Sequence, residues 1–206
     1  MKNSFVFGVI FSLFFSFSNT YSQGVFLEKG EIGFFGSGSY LSLENGSATS
    51  FGAGFALGGF FEVGVSRSNS KVEIANYYYS SNLSLKSTSI SLGIVLLNRK
   101  AILEVNLGYS STDNSDIDVL LLGFSVADKI PLHEKISWNP TLAFALGFPQ
   151  GGNDDNPITA ISLSAPIIIE KIVYLGPSLG FSDGDFSWGI SGGIVVRFNS
   201  NIAGGW

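Results

Sequence analysis

Few side chains in this 206-residue chain could do chemistry. There is no Cys, so no disulfide framework, thiolate metal site or thiol nucleophile can form. Serines are plentiful, but a serine nucleophile needs a base beside it, and His133 is the only histidine. It stands next to Glu134 in DKIPLHEK, a charged, turn-like run from Asp128 to Lys135. A single histidine in a turn is far more often solvated than catalytic, so no catalytic residue is assigned. Asp113, Asp116, Asp118, Asp154, Asp155, Asp183 and Asp185 lie in runs of Asn, Gly and Ser. Carboxylates there could hold Ca²⁺, but the same residues are ordinary turn formers. The turn reading is preferred, and no metal or cofactor is expected. The remaining charges of interest are Glu31, Glu62, Glu104 and Arg197. What they can do depends on the elements that carry them.

Those elements are strands. FSWGISGGIVVRF places Phe186, Trp188, Ile190, Ile194, Val196 and Phe198 at even positions, against Ser187, Gly189, Ser191, Gly193 and Arg197 at odd ones. A period of two is a strand. One face is too apolar for water, and the other is too small and polar for a sandwich core. Lipid outside and polar groups inside fit both faces. The alternation recurs from Gly30 to Leu43, Phe51 to Leu57, Phe61 to Val65, Ile90 to Leu96 and Ala101 to Tyr109. It returns from Leu120 to Val126, Ile136 to Phe148, Ile161 to Ile169 and Val173 to Phe181. Gly58 to Phe60 reads as a three-residue turn, with one long strand as the rival. Arg67 to Lys86 reads as a polar connection. Pro140, Pro166 and Pro177 each remove a ladder donor and are expected at strand ends or bulges. The fold class is therefore all-β: a closed antiparallel up-and-down transmembrane β-barrel of about ten strands, with eight as the alternative. An even count puts both ends of the wall on one, periplasmic, side.

Charged residues make up only 13% of the chain, against roughly 25% in ordinary soluble domains. The net charge is −5 and no basic patch stands out, so nucleic acid is not an expected partner. At the N-terminus, Lys2 precedes an apolar run from Phe5 to Phe17, and Thr20 and Ser22 occupy small-x-small positions. This is the pattern of a secretory signal peptide, cut after Ser22. The organisation is then a leader over 1–22, a barrel over 23–198 and a short tail over 199–206.

The leader, the repeated apolar-out strands and the closing Val196-Arg197-Phe198 resemble the small outer-membrane β-barrel proteins of Gram-negative bacteria. The resemblance implies a location in the cell outer membrane, contact with its lipid, and insertion by the barrel-assembly machinery. That machinery reads a last strand ending in an aromatic residue, here Phe198. The tail NSNIAGGW departs from the pattern, and Trp206, of the same parity, is the other candidate. Such barrels include pores, enzymes, adhesins and structural proteins, so the resemblance does not set function.

On these strands Glu31, Glu62, Glu104 and Arg197 all fall on inward faces, near the periplasmic mouth. Charges inside a membrane barrel are paired or hydrated. The cluster reads either as a gate or ion-selective constriction, or as a structural ion-pair network, which is preferred. Arg197 is expected opposite Glu31 across the closing seam. The Gly, Ser and Ala lining beyond it leaves either a narrow wet lumen or a barrel filled by its own wall and by Phe35, Tyr174 and Val195. Tyr77, Tyr78 and Tyr79 read equally as a partner or glycan contact and as a hairpin extension at the lipid headgroups. The expected function is a non-enzymatic barrel with a structural or partner-binding role. A narrow pore or small-ligand transporter comes second, and a hydrolase third.

Overall fold

The computed structural model describes Leu27 and residues 31–44, 46–57, 60–76, 79–98, 101–113, 118–150, 157–182 and 185–199. The expected leader, Tyr77, Tyr78 and the tail from 200 onward lie outside the described residues. In chain order the strands are β1 (Glu31–Leu43), β2 (Gly46–Leu57), β3 (Phe61–Asn76), β4 (Tyr79–Asn98), β5 (Ala101–Thr112) and β6 (Asp118–Asp128). They continue as β7 (Ile130–His133), β8 (Ile136–Trp138), β9 (Thr141–Gln150), β10 (Ile158–Ser164), β11 (Ile167–Ile169), β12 (Val173–Ser182) and β13 (Asp185–Asn199).

Three pairs of these segments are single barrel strands with a short interruption: β6 with β7, β8 with β9, and β10 with β11. The described residues therefore form ten barrel strands, each antiparallel to its neighbours. β13 pairs with β1 from Glu31–Asn199 to Leu43–Ser187, which closes the sheet. The rim where β1 begins and β13 ends is the terminal rim; the opposite one is the far rim. Stepping sideways through paired residues from Leu43 leads through Ser187, Gly180, Ser162, Ala143 and Ser125 to Glu104 and Val95. That path starts at the far rim and ends near the terminal rim. The strands are strongly tilted, as barrel closure requires.

The Phe60 N–H donates to the Leu57 carbonyl at 2.9 Å, so a turn separates β2 from β3 and the one-long-strand reading is wrong. Arg67 to Lys86 is not a loose connection. β3 and β4 stay paired out to Asn76–Tyr79. Cross-strand hydroxyl and amide contacts sustain this polar ladder, as at Ser68–Ser87 (2.6 Å) and Ser84 to Asn69 (3.0 Å). Polarity there marks distance from lipid, not loss of strand.

Pro140 and Pro166 sit in the breaks between β8 and β9 and between β10 and β11. Pro177 does not end a strand: it lies inside β12, opposite Ile190. All three carbonyls accept across the breaks: Pro140 from Asp128 N (3.1 Å), Pro166 from Asn139 N (2.9 Å) and Pro177 from Ala165 N (3.1 Å). Setting the breaks side by side in adjacent strands keeps these backbone groups bonded.

Candidate functional site

Alternation sends one residue in two into the lumen, and near the terminal rim several of these are large. Phe35, Val95, Ile102, Ile168, Tyr174 and Val195 gather with Ala56, Ala127 and Leu27 in one buried cluster. Small partners make room for the large ones. Phe35 stands opposite Gly54 and Tyr174 opposite Gly193. A Cβ at Gly54 would overlap the Phe35 ring, and one at Gly193 would lie 2.7 Å from the Tyr174 hydroxyl. Leu27 lies under Gly33 from inside. Phe35, Tyr174 and Val195 are legible from the sequence as inward and large. Ile168 was missed, although its parity among Ala160, Ser162 and Ser164 carries the signal.

The four inward charges form two groups. Arg197 Nη1 lies 3.6 Å from Glu31 Oε1, with both side chains largely buried, and its Nη2 donates to the Glu170 carbonyl at 3.2 Å. Glu62 and Glu104 lie near each other, both buried, and Glu62 is three strands round the wall from Arg197 along the row Arg197, Gly33, Ala56 and Glu62. Glu62 pairs in the ladder with Ala56 and Gly93, and Glu104 with Val95 and Ser125. Asn106 and Ser125 flank the Glu104 carboxyl. Both glutamates therefore border the apolar cluster, through Ala56 and Val95. From there outward the lining is small and polar, as at Ser89 and Ser110, whose hydroxyls bond at 2.8 Å.

On the outer side of the cluster, at the terminal rim, lies a cavity of about 390 Å³. Lys129, His133, Lys135, Lys171 and Arg197 line it with Glu134 and Glu170, and Ile168 and Ser137 form part of its wall. Lys135 Nζ meets Glu170 Oε1 at 2.8 Å. That bond holds the Glu170 carboxyl below the ordinary carboxylate value and the Lys135 ammonium above its own. His133 is exposed, and the nearby Ser137 hydroxyl donates to Asn139 Oδ1 at 3.3 Å. Two stretches match G-x-S-x-G, from Gly180 and from Gly189. Their serines lie in β12 and β13, with Ser182 donating to the Thr159 carbonyl at 2.9 Å. A nucleophile elbow instead needs a strand-to-helix turn. Among the described residues no three His, Asp or Glu side chains gather as metal ligands.

Phe198 points outward at the terminal rim, its ring edge-on to Phe34 at 6.0 Å. Tyr79 is the first residue of β4. Large apolar side chains stand exposed on all ten barrel strands, among them Phe34, Phe51, Ile90, Leu107, Phe124, Leu142, Ile161 and Ile190. Soluble monomers rarely expose an apolar belt of this extent. Strands whose backbone is satisfied around a closed wall are one of two architectures able to meet lipid.

A wall that is closed, greasy outside and polar inside is an outer-membrane-type β-barrel, and that is the class of this protein. No family model matches the sequence, and no curated protein matches it. Among solved structures it is similar to the β domain of the Bordetella autotransporter BrkA, at 10% identity over 81% of this chain and 99% of that one, TM-score 0.49. It is also similar to the KdgM porin, at 8% identity over 78% of this chain and 98% of that one, TM-score 0.47. A designed transmembrane β-barrel is similar at 12% identity over 83% and 98%, TM-score 0.37. The class rests on the barrel's own wall and belt.

Proposed function

We propose that this protein is a small, non-enzymatic barrel of the outer membrane whose role is structural or partner-binding, and whose lumen does not conduct. The observation that carries this reading is the buried apolar cluster across the terminal end of the lumen, with Phe35, Ile168, Tyr174 and Val195 from the wall and Leu27 from the segment before β1. Ions crossing that layer would shed water without gaining oxygen ligands, which is strongly disfavoured. The chain is exported by its leader, cut after Ser22, and oriented with the terminal rim in the periplasm. Phe198, exposed at the end of β13, is the assembly signal. A membrane protein partner would meet the outer belt or the β3–β4 ladder, next to which the sequence carries the expected contact residues Tyr77, Tyr78 and Tyr79.

Planar-bilayer recording tests the reading. The purified barrel is expected to insert without steady conductance, and Phe35→Ala, which opens the apolar layer, is expected to raise leak events above wild type. Steady wild-type conductance that changes in Glu104→Ala would overturn it in favour of a narrow pore. Hydrolysis of lipid or peptide by the pure protein would overturn its non-enzymatic part.

A further inference from the structure

We propose that the lumen holds one Ca²⁺ ion against Glu104, Asn106 and Glu62, beside the apolar cluster. Glu104 is fully buried, and Asn106 and Glu62 are each 3% exposed. Gly93 lies between Glu62 and Asn106 in the ladder, paired with both. Glu104 stands on β5 one inward position nearer the terminal rim than Asn106, and its carboxyl bends over the same glycine. A Cβ at position 93 would fall on Glu104 Oε1 and lie 2.6 Å from Asn106 Oδ1. The missing side chain of Gly93 thus leaves a space bordered by carboxylate and amide oxygens from two residues, with Glu62 adjoining.

The second observation is what these atoms lack. By strict geometry both carboxylate oxygens of Glu104 and the Nδ2 of Asn106 lack a hydrogen-bond partner, and Asn106 and Ser125 approach the carboxyl only loosely. Buried polar groups are very rarely left so. A carboxylate without donors in such a place is disfavoured unless charge is supplied. Protonation of Glu104, its proton shared toward Glu62, is the competing way to remove the charge, and a barrel indifferent to Ca²⁺ would select it. A cation satisfies the oxygens, and its coordinated water accepts from the amide N–H. The donor set is oxygen only: two carboxylates, an amide and the neighbouring Ser125 hydroxyl. Zn²⁺ prefers nitrogen and sulfur, and Mg²⁺ demands a near-regular octahedron. Ca²⁺ accepts about six to eight oxygens in irregular arrangement. Two carboxylates also match its charge.

The proposal goes beyond a structural barrel by giving that barrel a cation on which its stability depends. It is tested on the full mature chain folded in detergent, stripped with chelator and titrated with CaCl₂, with the unfolding midpoint read from heat-modifiable gel migration. At a hundredfold excess over Kd the midpoint is expected to rise by roughly 5–10 °C. Glu104→Gln is expected to lose that shift, and its midpoint without Ca²⁺ is expected to exceed that of stripped wild type, because one of two facing charges is gone. Gly93→Ala, which fills the space, is expected to lose the shift as well. A wild-type midpoint indifferent to chelator and Ca²⁺, or a full shift retained in Glu104→Gln, overturns the proposal. A response to Na⁺ or Mg²⁺ without one to Ca²⁺ overturns the choice of ion. If neither variant folds, equilibrium dialysis of wild type against radiolabelled Ca²⁺ decides: one ion per barrel supports the site and none overturns it.

Discussion

Arg197 reaches two acceptors of different kinds. One is the Glu31 carboxylate on the neighbouring strand at 3.6 Å; the other is the Glu170 carbonyl in the β11–β12 turn at 3.2 Å. The first is a long ion pair, which contributes little when partly solvated. The second is a charge-assisted hydrogen bond to a backbone group that would otherwise need water, and it ties the closing strand to the turn that leads into its neighbour β12. Arg197→Ala removes both and is expected to cost about 1–2 kcal/mol in detergent unfolding. Glu31→Gln keeps the carbonyl bond and is expected to cost under about 0.5 kcal/mol. Equal costs would mean that the carboxylate carries the seam. The sequence makes the inward direction of all four charges readable, because parity alone sets it. It does not separate Glu62 and Glu104 from Arg197. That separation comes from tilt: paired residues climb from rim to rim around the wall, so nearness to a turn does not translate into nearness across the lumen.

The β11–β12 turn shows the same limit at the level of an element. Its position is plain from the alternation on either side of Glu170-Lys171, but its type is not. The Ile172 N–H donates to the Ile169 carbonyl at 2.9 Å, and both central residues have positive φ, 53° at Glu170 and 57° at Lys171. This is the primed turn that matches strand twist, usually written with Asn and Gly. Here two long charged residues take it, at a cost in backbone strain. Glu170 has compensation in its bond to Lys135. Lys171→Gly is therefore expected to stabilise the barrel by about 1 kcal/mol, read from the shift in urea midpoint at constant slope. A loss instead would show that the Lys171 side chain contributes more than the strain removes. The length of β3 and β4 was illegible for a related reason. Ser, Asn and Lys in alternation look like a connection when strands are sought by their greasy face. Above the lipid a ladder needs no such face, and hydroxyl pairs such as Ser68–Ser87 sustain it.

For the whole molecule, the question is what solvent the belt meets. Its existence was the most readable property of the chain, since outward parity survives every interruption at Lys129, Pro140 and Pro166. Leu142 lies mid-wall between Val126 and Leu163 and is 55% exposed. Ser84 is also outward and exposed, but on the polar extension of β4 beyond the belt. In lipid, an arginine near mid-belt costs about 2–4 kcal/mol, and one beyond the interface little more than the exposed Ser84–Asn69 contact it removes. On a water-facing surface either change would stay within about 0.5 kcal/mol. Leu142→Arg and Ser84→Arg, unfolded from phospholipid vesicles under the same denaturant series, are therefore expected to differ by about 2 kcal/mol or more. Similar small costs would mean that Leu142 does not face acyl chains and that the belt is covered by something other than lipid. The comparison depends on depth and not on side-chain chemistry, because the incoming residue is the same. It therefore separates a membrane-spanning wall from an apolar surface that merely awaits a protein partner.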